Sequence, residues 1–585
     1  MKALVIGSDD GIGARLRELG VEVEVVAPGA LAERVRTADG DLVLAHGDIA
    51  TNREALAGLI EDPRIASGVL AADDGQRFLG VLKVAAEQRV LLAETADRAA
   101  PSDDALAAIA AGLAEAGVPL RTALLRGMVW ERPATEAAWA RAAQVDEDRV
   151  RMDSAVKSVD GFFTTFFVSP YSRYVARWAA RRGLTPNQVT SMSLALGLLS
   201  ALCFATGQRW GLVAGAVLLQ VAFTADCVDG QLARYTRNFS ALGGWLDSTF
   251  DRLKEWLVFA GLAIGADRMG HPVWVLAGAA LTLQTLRHMV DFAFHDERRA
   301  RIPPAGDKPA GELGRWGELD RVALVPWVKR LIAFPIGERF ALVSLTAALW
   351  SAHTTFVAWL AWGGFAALYG VAGRVLRALR WRAAGRAAPE RYRDDGPIAR
   401  ALGPLGRRVE PPLLVLAALL PLVVAIAITG AGATNATAVA AIAWAIVIGG
   451  LSGGRAGLGR LAWTVPPLLR ATEYMGLLWL GALAGVSSRP AAFALLATLA
   501  LRQYDIVYGL RYRGAPVSDR LGVAAGGWDG RLALGCVLLV TGALPAGFYA
   551  LAAIIAVVFC AAAIRDWSRA RMPVAFHDDK EDVEA

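Results

Sequence analysis

Cysteine is scarce in this chain, with four in 585 residues. Cys203, Cys227, Cys536 and Cys560 lie far apart in apolar stretches and form no CxxC pair. That spacing excludes a zinc ribbon and a disulfide framework, and leaves small buried hydrophobes. Outside 151–183 a basic stripe with interleaved aromatics is absent, as is any nucleic-acid motif. The net charge of +6 and pI near 9.2 therefore do not point to nucleic acid. Arg-rich loops between apolar spans account for them, as the positive-inside rule requires. There is no secretory signal pattern either. Met1-Lys2 leads directly into Ala-Leu-Val-Ile-Gly, a strand-like start. The expectation is that the soluble part stays on the side where it is made.

What the chain has in excess is apolar residues, 55% of the total, with a mean hydropathy of +0.39. Both values point to membrane spans. The excess is uneven. Residues 1–150 mix charge and apolar residues as a soluble domain does. Short strand candidates at 2–6, 22–26, 41–45 and 67–72 alternate with helical stretches at Ile12–Leu19 and Arg53–Glu61. This alternation predicts a parallel α/β domain. In 151–183, Phe162, Phe163, Phe166, Phe167, Tyr171, Tyr174, Val175 and Trp178 interleave with Arg173, Arg177, Arg181 and Arg182. That pattern suits a helix lying at the membrane interface.

Spans follow near 185–206, 211–234, 244–265, 272–293, 335–352 and 354–376, a region of 184–379. A linker fills 380–411. A second region, 412–566, has spans near 412–430, 435–451, 462–485, 490–509, 532–546 and 548–565, and a polar tail occupies 567–585. The basic clusters alternate between loops so that both termini are expected in the cytoplasm, with twelve spans of the cell membrane between them. The two halves show no self-similarity, so no repeat is inferred.

Within this frame the stretch 226–251 reads DCVDGQLARYTRNFSALGGWLDSTFD. Asp226 and Asp229 are three apart and share one helical face. Asp247 and Asp251 are four apart and share a face on the next helix. The charge map puts both pairs at cytoplasmic helix ends. Carboxylates in a span are costly and usually functional. Four unneutralised ones would repel, and divalent cations relieve this. An all-oxygen ligand set favours Mg²⁺ or Mn²⁺ over zinc. Two such ions can hold a pyrophosphate and stabilise a leaving phosphate, while a remaining carboxylate can serve as general base to an attacking hydroxyl. Gly230, Ala233 and Gly243 leave room for a ligand beside the helix backbone. The alternative is helix-end acids paired with Arg234, Arg237 and Arg252.

The segment matches D-x2-D-G-x2-A-R-x8-G-x3-D-x3-D at every fixed position, and so resembles the CDP-alcohol phosphotransferase family. Leu184-Thr185-Pro186-Asn187-Gln188-Val189-Thr190 looks like that family's first-span opening. The resemblance implies a six-helix membrane core over 184–379. It implies Asp226, Asp229, Asp247 and Asp251 as metal ligands, with Asp251 also activating the acceptor hydroxyl. Asp226, Asp229, Gly230, Ala233, Arg234 and Gly243 would form the CDP site, with Asn187 and Thr190 at its edge. The reaction implied is attack of an alcohol on the β-phosphorus of a CDP-alcohol with release of CMP. The donor would be of CDP-diacylglycerol or CDP-inositol type, the acceptor an alcohol or polyol phosphate, and the assembly a homodimer in a lipid bilayer.

The order of parts also resembles the bifunctional inositol-1-phosphate cytidylyltransferase/di-myo-inositol-phosphate phosphate synthases, whose N-terminal domain is nucleotidyltransferase-like. Asp41–Asp48 looks like that fold's central strand ending in a metal-binding Asp, and Lys157–Gly161 like the joint to the membrane. Departures are plain. The Gly-rich turn Gly7–Arg15 is followed by no Pro-Lys and carries two acids, which oppose phosphate binding. The stretch Trp130–Glu136 lacks the second metal Asp. A degenerate, non-catalytic domain is expected.

Further candidates lie outside the signature. Arg287, His288, Asp291 and His295 recur at helical spacing. With Arg339 they could line an acceptor pocket, or form an internal ion-pair ladder and an interfacial anchor. In the second region Arg470, Glu473 and Tyr474 sit in one span and Arg502, Asp505 and Tyr508 in another. They could form a lipid-phosphate site or a buried Glu473–Arg502 pair. The functional reading is a metal-dependent phosphotransferase of phospholipid or phospho-polyol biosynthesis. The alternatives are a bifunctional enzyme that also makes its CDP-alcohol, and a non-catalytic lipid-binding or transport protein.

Overall fold

The computed structural model describes residues 1–99, 102, 104–157, 160–301, 324–381, 392–454, 459–513 and 525–569. Residues 158–159 of the Lys157–Gly161 joint, 382–391 of the 380–411 linker and most of the polar tail lie outside these residues. Internal contacts divide the chain into two units. The first comprises Met1–Ser158, Tyr171–Pro186 and Val228–Phe239. The second comprises Val159–Pro170, Asn187–Cys227 and Ser240–Ala585.

The first unit is built on strands β1 (Lys2–Ile6), β2 (Glu22–Val26), β3 (Leu42–His46), β4 (Ala50–Thr51), β5 (Gly68–Ala71), β6 (Phe78–Val84), β7 (Arg121–Leu124) and β8 (Trp130–Glu131). Six of them form one sheet in the order β2-β1-β3-β6-β5-β7. Side chains alternate across it. Ala3, Val5, Val43 and Ala45 pack with helices α1 (Ile12–Glu18) and α3 (Arg53–Ile60). Leu4, Ile6 and Leu44 pack with α2 (Leu31–Thr37), α4 (Arg89–Ala99) and α5 (Ala105–Glu115). The all-parallel expectation is corrected at β6, which runs antiparallel to both β3 and β5. The reason is local. Asp74 accepts the Gln76 amide at 2.9 Å and Gly75 adopts φ +68°, so β5 turns straight back, and a tight turn can join only antiparallel strands.

Helices α6 (Glu136–Gln144), α7 (Glu147–Ser154) and α8 (Ser169–Arg181) complete the soluble part. The same unit includes the end of α10 (Arg209–Thr236) and the turn after it. Arg237, with φ +53°, pairs with Glu54 and with Glu61, the latter at 2.6 Å. The Arg64 guanidinium lies 3.9 Å from the centroid of the Phe239 ring. Asp148 accepts from Tyr235 and, at 3.2 Å, from Arg177. The α/β domain thus grips the turn that leaves α10.

The second unit is helical: α9 (Pro186–Phe204), most of α10, α11 (Ala241–Arg268), α12 (Trp274–Arg301), α13 (Leu324–Ala333), α14 (Ile336–Leu349) and α15 (Ala352–Ala378). Then come α16 (Pro397–Leu402), α17 (Pro411–Thr429), α18 (Asn435–Leu451), α19 (Val465–Leu483), α20 (Ser488–Arg513), α21 (Gly527–Val540) and α22 (Leu544–Arg569). A helix occupies each of the twelve segments expected to span. Among the described residues, five helices are long and apolar enough to cross a membrane, and six if the bent pair Trp327–Ala333 and Ile336–Leu349 is one span. Of the others, α11, α12, α19 and α20 carry charged residues within the helix, and α18 and α21 are short, at 17 and 14 residues. The chain is a membrane protein with a soluble α/β part.

Helices α9 and α11 meet backbone to backbone. A Cβ added at Gly261 would lie 2.3 Å from the Ala201 carbonyl oxygen, and one at Gly265 would lie 2.1 Å from that of Phe204. Two glycines four apart allow this approach. The core is continuous from the first helices to the last, joining Leu262, Leu281 and Phe356 to Leu469, Leu499 and Trp528.

Candidate functional site

The turn between α10 and α11 sets the site. Ser240 caps α11 by accepting the Gly243 amide at 2.9 Å, the arrangement expected of a helix N-cap. This fixes the direction in which α11 leaves the turn. Asp226, Asp229 and Asp247 then each present one carboxylate oxygen, all within 4.8 Å of one another. Asp229 is buried and the other two are half-buried. Three convergent carboxylate oxygens fit a hard divalent cation, whose trans ligands stand about 4.2 Å apart at a Mg–O distance near 2.1 Å. They do not suit a soft metal.

Asp251 is buried one turn below Asp247 and shares a cation with Asp226. Its Oδ1 lies 3.1 Å from Lys254 Nζ, and Arg252 approaches it at 3.7 Å. Lys254 is fully buried and also pairs with Asp226. The same ammonium donates to Ser193 Oγ at 2.8 Å, and that hydroxyl donates to the Ala222 carbonyl at 2.8 Å. Sequence reasoning passed over Lys254 and Ser193. The signal was there, since a lysine three residues after Asp251 in an apolar helix is itself an intramembrane ion.

The other expected CDP-site residues are placed as follows. Asn187 packs against Gly243, where an added Cβ would stand 2.7 Å from Asn187 Oδ1. Thr190 is buried on α9. Gly230 and Ala233 continue the Asp226–Asp229 face of α10. An added Cβ at Gly230 would meet only the Arg234 guanidinium within 4 Å, at 3.4 Å. Arg234 Nε donates to the Ala155 carbonyl.

The acceptor-pocket candidates have internal partners. Asp291 pairs with Arg374 of α15 at 2.6 Å, not with its helical neighbours. Arg339 is buried, donating to Glu255 at 2.8 Å and to the Phe334 carbonyl at 3.1 Å. Arg287 donates to Gln284 at 3.1 Å and to the Ala333 carbonyl. His288 Nδ1 lies 2.8 Å from the Tyr504 hydroxyl.

In the second region the Glu473–Arg502 pair is not formed. Glu473 pairs instead with Arg470 and with Arg531, the latter at 2.6 Å. Arg502 pairs with Asp394 at 2.8 Å. Asp394 also receives Arg470 at 3.2 Å and Arg531 at 2.8 Å. It lay in the stretch read as a linker, so composition alone hid it. Burial by itself would push its carboxyl up, but attraction from Arg531, Arg470 and Arg502 outweighs this and holds it well below the usual carboxylate range.

Helix α20 of the second region lies along α11. Trp245 Nε1 donates to Asp505 Oδ1 at 2.9 Å, and the Ser248 and Tyr512 hydroxyls stand 3.3 Å apart. A Cβ at Gly244 would come 2.8 Å from the Tyr512 ring. Gly244, Asp247, Ser248 and Asp251 form one stripe of α11, so Tyr512 touches the stripe that carries two of the aspartates.

Residues 183–369 match the model of the CDP-alcohol phosphatidyltransferase family. Residues 382–583 match a family of unknown function, DUF5941. The chain is similar to the phosphatidylinositol phosphate synthase of Mycolicibacterium smegmatis, with 44% identity over 92 residues, 16% of this chain and 40% of the relative. It is similar to the archaetidylinositol phosphate synthase of Pyrococcus horikoshii, with 38% identity over 91 residues, 16% of this chain and 47% of the relative. It is also similar to a bifunctional IPC transferase and DIPP synthase of Rubrobacter xylanophilus, with 39% identity over 107 residues, 17% of this chain and 23% of the relative. The chain thus spans less than half the length of these relatives.

Proposed function

We propose that the protein is a metal-dependent transferase that moves a phospho-alcohol group from a CDP-alcohol to an acceptor hydroxyl and releases CMP. The observation that carries this reading is the convergence of Asp226, Asp229 and Asp247 within 4.8 Å, inside the segment matched to the CDP-alcohol phosphatidyltransferase family.

Asp226, Asp229 and Asp247 would hold Mg²⁺ or Mn²⁺. When bound, such an ion neutralises phosphate charge and stabilises the departing CMP. Gly230 and Ala233 leave the α10 backbone open to the nucleotide, and Arg234 offers it a guanidinium. Asn187, Thr190 and Gly243 shape the opposite edge. Asp251 takes the proton of the acceptor hydroxyl. The freed oxygen bonds the β-phosphorus, the bond from that phosphorus to the bridging oxygen breaks, and CMP leaves with the electron pair.

The names of two of the relatives, one phosphatidyl and one archaetidyl, favour a lipid donor of the CDP-diacylglycerol type and an inositol phosphate or other polyol-phosphate acceptor; the third keeps a CDP-inositol donor in play. Arg287, Asp291 and Arg339 are given a supporting role: Arg339 and Glu255 brace α11 just behind Asp251. The nucleotidyltransferase-like domain is taken as inactive. Asp9 accepts the amides of Gly11 at 3.2 Å and Gly13 at 2.8 Å, so its own carboxylate fills the cradle a phosphate would need. Asp48, the expected metal ligand there, pairs with Arg132 at 2.9 Å. Placement in the cytoplasmic membrane with both termini and the site inside, and assembly as a homodimer, complete the proposal.

The test is direct. Purified protein with Mg²⁺ is offered CDP-diacylglycerol or CDP-inositol with inositol phosphate, glycerol phosphate or free polyols, and CMP is measured. CMP release that needs both substrates and is abolished by EDTA supports the reading. No release from any pair would overturn it.

A further inference from the structure

The buried lysine in the aspartate cluster changes how that cluster is neutralised. The ammonium of Lys254 sits between Asp226 and Asp251, pairing with the first and standing 3.1 Å from the second. Its contact with Ser193 Oγ at 2.8 Å supplies a third acceptor, so all three N–H directions of the ammonium are used. The side chain is fully buried. Its stem crosses Gly197 of α9, where an added Cβ would come 2.8 Å from Lys254 Cγ. A lysine that passes over a glycine and ends on three oxygen acceptors is built into the site.

We infer that Lys254 is a resident cation standing where a second divalent ion would bridge Asp226 and Asp251, so that the nucleotide-free protein takes one divalent ion, held by Asp226, Asp229 and Asp247. This deepens the proposed function and rests on its metal centre. An ammonium and a dication cannot share the point between two carboxylates, and their repulsion in a site shielded from water is strong. Asp226, Asp229 and Asp247 converge, and the ammonium lies against Asp226 and Asp251, on the side of Asp226 away from Asp229 and Asp247 in the proposed arrangement. The expectation of two ions drawn from four carboxylates thus gives way to one ion and one ammonium. Lys254 is a positioning residue here: it holds Asp251 toward the acceptor side and leaves one of its oxygens free of metal.

The test counts ions in the full-length, nucleotide-free protein in lipid nanodiscs, with Mn²⁺ as the probe and electron paramagnetic resonance as the readout. The wild type is expected to bind one tight Mn²⁺ per chain. Lys254→Met is expected to bind two, with spectral broadening from ions about 4 Å apart. Lys254→Arg is expected to return the count to one. Asp251→Asn, which leaves the lysine in place, is expected to keep a count of one with affinity within about twofold. Two tight ions in the wild type, or a single ion in a folded Lys254→Met, overturns the inference. Should Lys254→Met fail to fold, the wild-type count and Asp251→Asn decide: a drop in affinity of tenfold or more in Asp251→Asn makes Asp251 a ligand and overturns it. CMP release separates the two claims. Two ions with active transfer sinks only the role of Lys254, whereas no bound ion and no transfer sinks the proposed function as well.

Discussion

At the scale of single residues, the proposed chemistry and the stability of the fold rest on different buried ions. Asp251→Asn keeps the shape of the side chain but cannot take a proton. CMP release is expected to fall about a hundred- to ten-thousand-fold, measured on protein shown by thermal unfolding to be folded. Asp394 belongs to the other class. It is the common partner of Arg470, Arg502 and Arg531, and Asp394→Asn leaves those guanidiniums short of an anion. A loss of about 3–5 kcal/mol is expected, read by thermal unfolding in detergent. The pH dependence follows from the sign of its shift. Its carboxyl is depressed below the ordinary 3.8, so its contribution is complete above about pH 4 and is lost only as pH falls toward the folded value. The Asn variant should lose that part of the acid dependence.

The four aspartates were legible in the sequence because helical spacing turns a linear pattern into a shared face. The contacts of Lys254 with Asp226, Asp251 and Ser193 were not, because they join α11 to α10 and α9. No spacing rule relates position 193 to position 254.

Among elements, the pair α9 and α11 is the most constrained. Both carry apolar residues, but their approach is set by Gly261 and Gly265 against the carbonyls of Ala201 and Phe204. Gly265→Leu must push the helices apart. It is expected to cost about 1–3 kcal/mol and to disturb the site through Ser193 and Lys254, so unfolding temperature and CMP release should fall together. A change confined to stability would show that the site does not depend on this crossing.

Helix positions were readable throughout, since every span expected from hydropathy is a helix in the structure. Partners were not. The sequence suggested Glu473 with Arg502, yet Glu473 meets Arg531 and Arg502 meets Asp394, from a stretch whose composition looks like a linker. Hydropathy records what must be buried and is silent on what it is buried against. The antiparallel β6 escaped notice for a related reason. Its run of apolar residues reads as a strand of either sense, and only the turn at Asp74-Gly75 decides.

For the molecule as a whole, the match to two families suggests two pieces, but the packing does not. Helix α20 lies on α11 through Trp245–Asp505 and Tyr512–Ser248, and one core runs through both regions. A chain ending at residue 381 would expose the faces of α11 and α12 that α19 and α20 cover. Such a truncation is expected to aggregate in detergent on gel filtration and to release no CMP. Co-expression of residues 382–585 is expected to restore a soluble complex. An active, monodisperse truncation would show the second region to be dispensable.

The loop at Gly7–Gly13 has a consequence for how this protein meets its surroundings. A backbone cradle that already holds the Asp9 carboxylate offers nothing to an incoming anion. Phosphate buffer, CTP or pyrophosphate should leave the melting of the α/β domain where it was. On the proposed function, the domain would then not sense the cytidine nucleotide that the aspartate-bearing helices use.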